Sequence, residues 1–179
     1  MPLHWSHAVL YVRDLEAMLD FYTQVLGFEV TDRGALGPDG TGIIFLSQLP
    51  QEHHQLAFVA RPTGEERESS FDHLAFRVES LGELRELSER LRKDGRVEQI
   101  APITHGNTWS FYFRDLEGNG LEVFCETPWH VQQPQLRGWD PSQSDEELLE
   151  WTRGEFQNEA GFGSLEDYRA ARERALEKG

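Results

Sequence analysis

The chain has 179 residues, enough for one sizeable domain or two small modules that share a core. Charged residues make up 27% and hydrophobic ones 38%, a globular balance, and the net charge of −15 sets the surface against polyanions. Nucleic acid and anionic membrane are therefore excluded as expected partners, and no apolar run approaches 18 residues. The start, MPLHWSHAVL, lacks the basic-then-apolar order of a leader, and the lone Cys125 has no partner for an internal disulfide. A soluble cytoplasmic protein is the simple reading, with Cys125 in the apolar run LEVFC as a buried residue rather than a nucleophile.

The stretch SHAVLYVRDLEAMLDFYTQVLGF reads as a strand running into a helix. His7, Val9 and Tyr11 alternate with Ala8, Leu10 and Val12 at the strand period. Asp14 stands at an N-cap position, Leu15, Met18, Tyr22 and Leu26 follow at helical spacing, and Gly27 supplies the stop. The strand-like runs GIIFLSQ and HHQLAFVA come next, and the polar loop ARPTGEERESS, residues 60–70, closes the segment. DHLAFRVESLGELRELSERLRKDGR then repeats the same grammar. His73 opens a strand, Ser80 and Glu83 form a capping box, Leu81, Leu84, Leu87 and Leu91 mark a buried stripe, and Gly95 ends it. WSFYFRD and NGLEVFCE complete it, with Gly118 and Asn119 in the reversal between them.

Counting fixes the register of the repeat. His7 to Leu15 is eight residues, and so is His73 to Leu81, a period of 66. Each half reads as β-α-β-β-β and cannot bury its sheet face alone, which predicts two paired modules. The expected fold is α+β: modules over 4–60 and 70–127 form a paired, half-barrel-like mixed sheet around a metal site, making one domain over 1–127. Residues 128–179 form an irregular and helical extension, with one helix opened by Ser144 and Glu147 and another running from Ser164 through Leu165 and Tyr168. Trp129, Trp139 and Trp151 make that extension a wrap or an oligomer contact rather than a solvated tail.

Superposing the halves puts His7 against His73, and aligning QLAFVA with GLEVFC puts Ala57 against Glu122. Two imidazoles and a carboxylate form the facial triad that holds iron(II) with open positions, and manganese(II) shares those ligands. A carboxylate in the apolar run LEVF is costly to bury unless a cation offsets it. Taken singly, a histidine at a strand start is more often structural than a ligand; the matched pair with Glu122 is what carries weight.

SHAVLYVRDLEAMLDFYTQVLGF, DHLAFRV and YFRDLEGNGLEVF resemble the vicinal oxygen chelate superfamily, which includes glyoxalase I, fosfomycin and bleomycin resistance proteins, and type I extradiol dioxygenases. The resemblance covers about residues 4–126 and is strongest to the single-domain dioxygenases. It implies that HHQLAF supplies the acid/base histidine at His54, with His53 the alternative one residue away. It likewise implies His105 in THGNT as a second histidine, at a slightly shorter spacing than in two-domain members, and Tyr112 as the site tyrosine. The implied function is extradiol ring cleavage of a small aromatic diol with O₂, on iron(II) or manganese(II) held by His7, His73 and Glu122, in a homo-oligomer. A glyoxalase-like isomerase would want a fourth protein ligand, which Ala57 cannot supply, and a fosfomycin-modifying enzyme would want a basic pocket. A binding module without catalysis would not need the triad.

Overall fold

The computed structural model describes residues 7–36, 40–49, 54–60, 73–132 and 135–176. His53 and the 61–70 part of the joining loop lie outside these residues. The chain divides into two units.

The first unit holds β1 (Ala8–Val12), α1 (Leu15–Asp20), β2 (Glu29–Leu36), β3 (Thr41–Ser47) and β4 (Leu56–Ala60). Its open sheet has the order β1-β4-β3-β2, with β1 parallel to β4 and the other pairs antiparallel. Asp14 caps α1 as predicted, its carboxylate accepting from the Ala17 amide at 2.9 Å. The helix does not run regularly to Gly27. After Asp20 it widens into a π turn over Phe21–Val25, and this lets Phe21, Tyr22, Val25 and Leu26 all turn inward and become buried. Gly27 then closes the element at φ 81°. Tyr22 meets Phe58 edge to face at 4.8 Å between ring centroids, while the His7, Val9 and Tyr11 side of β1 stays open.

The short turn Arg114–Asn119 also belongs to this first unit. Asp115, buried, accepts from the Tyr22 hydroxyl at 3.0 Å and from the amides of Glu117 and Asn119 at 2.9 Å each. Glu117 in turn accepts from the amides of Arg13 and Asp14 at 2.5 and 2.6 Å, just before α1. The DLEGNG segment thus holds the start of α1 and the π turn after it as well as making a reversal. Burial first, and then the Asp115 charge, push the Tyr22 pKa well above its ordinary value, so the hydroxyl remains a donor. Asp115→Ala leaves that buried hydroxyl without its acceptor, an expected loss of about 2–3 kcal/mol and a melting temperature lower by roughly 5–10 °C. Asp115→Asn, which keeps a carbonyl acceptor, restores most of it. A melting temperature within a degree of the parent for Asp115→Ala, by circular dichroism, would refute this account.

The second unit holds β5 (His73–Arg77), α2 (Leu81–Asp94), β6 (Ala101–Thr104), β7 (Thr108–Arg114, less its last residue) and β8 (Gly120–Glu126). Its sheet reads β5-β8-β7-β6, the same order as the first, again with the opening strand parallel to the last. The predicted stripe Leu81, Leu84, Leu87 and Leu91 is buried, and Gly95 ends the helix at φ 75°. At its start the Ser80 hydroxyl accepts from Glu83 as expected, but the Glu83 carboxylate accepts from the amide of Glu79, one residue earlier than in a full capping box.

Strand register tests the repeat at single-residue level. Val9 faces Ala57 across β1 and β4, and Ala75 faces Glu122 across β5 and β8. His7 and His73 each stand two residues before those partners, so Ala57 is the repeat counterpart of Glu122. The extension adds a fifth strand to the second sheet: β10 (Arg137–Gly138) pairs with β6 outside it. β9 (Trp129–His130) pairs with β11 (Gly163–Ser164), and α3 (Asp145–Phe156), with a full Ser144/Glu147 capping box, and α4 (Leu165–Leu176) complete the unit. Trp139 is buried against Phe111, its indole donating to the Ser110 carbonyl at 3.1 Å, while Trp129 and Trp151 are half-buried. The extension is a wrap on its own unit. Among the described residues no helix is long and apolar enough to cross a membrane.

Candidate metal centre

Four of the six residues singled out from the sequence stand in the second unit, and they are linked. The period of two along β7 and β8 brings Ser110, Tyr112 and Glu122 to one face, opposite Trp109, Phe111 and Phe113. On that face His73 Nε2 lies 3.3 Å from Glu122 Oε2, and the Ser110 hydroxyl donates to Glu122 Oε1 at 2.6 Å. The rings of Tyr112 and His73 meet edge to face, 5.5 Å between centroids, and the Tyr112 hydroxyl is 2.9 Å from His105 Nε2. Glu122 is only 7% exposed.

The other two residues stand together in the first unit. The rings of His7 and His54 are 4.3 Å apart, and Phe45 meets His54 edge to face at 4.9 Å. His7 is exposed and His54 half-buried. His7, just before β1, shares the open face with Val9 and Tyr11, whereas register places Ala57 and Phe45 side by side on the neighbouring strands. Among the described residues no three His, Cys, Asp or Glu side chains form a group at metal-holding distances. His73 and Glu122 are the imidazole–carboxylate pair within the second unit.

The donor chemistry of that pair fits a divalent cation. An imidazole nitrogen and a carboxylate oxygen meet at one point, within an apolar strand where a carboxylate is costly unless its charge is offset. The hydroxyl of Ser110 fixes the other carboxylate oxygen, as partners of metal-ligating carboxylates do. Ser110 was missed in the sequence; its signal was a lone polar residue alternating with Tyr112 in WSFYF. Cys125 takes no part: burial pushes its thiol up to about 12, which keeps it unreactive.

The family model of the Glyoxalase/Bleomycin resistance protein/Dioxygenase superfamily matches residues 4–123. The biphenyl-2,3-diol 1,2-dioxygenase 2 of Rhodococcus globerulus is 33% identical over 66% of this chain and 60% of its own length. The iron-dependent extradiol dioxygenase of Rhodococcus jostii (strain RHA1) is 35% identical over 68% of this chain and 42% of its own. The chain therefore spans about half the length of these relatives. A crystal structure of a glyoxylase/bleomycin resistance protein/dioxygenase domain from Frankia sp. EAN1pec superposes with a TM-score of 0.60 at 28% identity, covering 71% of this chain and 94% of that one.

Proposed function

Because the chain belongs to the glyoxalase/bleomycin resistance protein/dioxygenase superfamily, and relatives at about a third identity are named extradiol dioxygenases, we propose that it cleaves a catechol-type aromatic diol beside its two hydroxyls, using O₂. The observation that supports this most is the conjunction in the second unit: the His73–Glu122 pair lies on the same strand face as a tyrosine hydrogen-bonded to a histidine. A metal-holding pair alone would suit several chemistries of this fold. A phenolic hydroxyl beside it suits a substrate that presents hydroxyl groups.

In this reading His7, His73 and Glu122 hold iron(II), with manganese(II) able to take the same ligands, and the metal would supply activation of the diol and of O₂. The protein's own groups do the rest. Tyr112 sets its hydroxyl oxygen where a substrate hydroxyl can hydrogen-bond to it, and its ring packs against His73 rather than turning freely. His54, against His7 and Phe45, is an imidazole able to hold and deliver a proton. Ala57 leaves the fourth repeat-related position without a donor, which supports a metal with open positions over the four-ligand site expected of a glyoxalase-like isomerase. The catalytic domain is taken as residues 1–127, with 128–179 as its extension.

The test is oxygen uptake. Protein purified anaerobically with iron(II) is expected to consume O₂ with catechol or 2,3-dihydroxybiphenyl and to form a yellow ring-opened semialdehyde that carries both oxygen atoms. Metal-loaded protein that consumes no O₂ with any member of a catechol panel would sink the proposal.

A further inference from the structure

Both ring nitrogens of His105 are engaged, and one partner comes from the extension. Nδ1 lies 2.6 Å from the backbone carbonyl of Gln135, and Nε2 lies 2.9 Å from the Tyr112 hydroxyl. A carbonyl oxygen can only accept, so Nδ1 carries the hydrogen. The Nε2 of the neutral ring is then a lone pair, and the Tyr112 hydroxyl must be the donor. The direction of the chain is therefore set: Tyr112 donates to His105, and His105 donates to Gln135.

The segment that presents this carbonyl is tied down on both sides. Downstream, Arg137 and Gly138 pair with Thr104 and Ile103, the strand that ends just before His105. Upstream, the Val131 amide donates to the Asn107 side chain at 3.2 Å, and the Thr127 hydroxyl donates to the Gly106 carbonyl at 2.6 Å. Gly106 has φ 79°, and a Cβ there would come within 2.5 Å of Val131 Cγ1 and 3.2 Å of Phe156, so the loop bearing His105 fits the extension with no space to spare. A backbone carbonyl held in this way orients an imidazole as the outer partners of functional histidines do.

We infer that the extension is part of the active centre: the Gln135 carbonyl fixes the tautomer of His105, and His105 acts on the substrate only through the Tyr112 hydroxyl, as a positioning residue. The inference rests on the proposed ring cleavage for its catalytic half. Its consequence is specific. With its hydrogen committed to His105, Tyr112 meets the diol with oxygen lone pairs and accepts from a substrate hydroxyl rather than donating to it.

Two experiments test this. The ¹⁵N-imidazole spectrum of the full-length, metal-free protein at mildly alkaline pH, with the His105 signals identified by their loss in His105→Gln, should show a protonated Nδ1 and an unprotonated Nε2. With ¹³C at the Gln135 carbonyl, a coupling across the Nδ1–H···O=C bond is expected. The opposite tautomer overturns the assignment. In turnover, His105→Ala should lower kcat by about 10- to 100-fold in the parent, but by less than about twofold in a Tyr112→Phe background. Equal losses in both backgrounds would mean that His105 touches substrate itself. If no catechol is consumed at all, ring cleavage fails as a function, while the tautomer is still decided by the spectrum.

Discussion

Glu122→Ala is expected to yield a folded protein that neither retains iron(II) nor consumes O₂ with a catechol. The carboxylate is the one anionic donor proposed for the metal, and losing the several kcal/mol that a bound metal supplies corresponds to a fall in turnover on the order of 10³-fold or more. The surroundings of Glu122 allow this loss to be separated from unfolding. Its side chain is 7% exposed, and it is tied to His73 at 3.3 Å and to the Ser110 hydroxyl at 2.6 Å. Glu122→Gln keeps the shape and an acceptor for Ser110 but removes the buried charge, so the metal-free variant should melt no lower than the metal-free parent. Iron content measured on the purified protein should nonetheless fall, with affinity down by more than about tenfold. Full metal content in Glu122→Gln would remove Glu122 from the ligand set.

The opening strand and helix of each half and the last two strands were legible because the repeat states them twice, whereas no motif marked β2 or β6. His7 to Leu15 and His73 to Leu81 share one spacing, and the two sheets share one strand order, with Ala57 and Glu122 at equivalent registers. Side-chain chemistry that alternates along a strand was legible for the same reason, which is why Tyr112 and Glu122 fall on one face with His73 beside them. The π turn after Asp20 was not, since an extra residue in a helix leaves the apolar spacing nearly unchanged. Backbone partners were also invisible: a carbonyl such as that of Gln135 is available at every residue, and only folding selects one. Asp115 lies between these cases. Its turn signature was clear, but its partners, Tyr22 above all, are 93 residues away.

His54→Ala should separate chemistry from metal binding. In the proposed reaction His54 holds and delivers a proton, and a positioned imidazole in that role contributes about 10²- to 10⁴-fold in rate. His54 is placed for that role by contacts on two sides, with the His7 ring at 4.3 Å and the Phe45 ring at 4.9 Å, and it is only half-buried, so solvent can reload it. It precedes β4 at the point where that strand begins to run parallel to β1, so its ring stays beside the start of β1, where the proposed ligand His7 stands. Because it is not a proposed ligand, its removal should leave iron content at the parent level while kcat falls by roughly 10²-fold or more. The fall should appear in kcat with little change in KM, since the step it serves comes after diol binding. Normal turnover in His54→Ala would transfer the acid/base role to another group, and loss of iron would make His54 part of the metal centre instead.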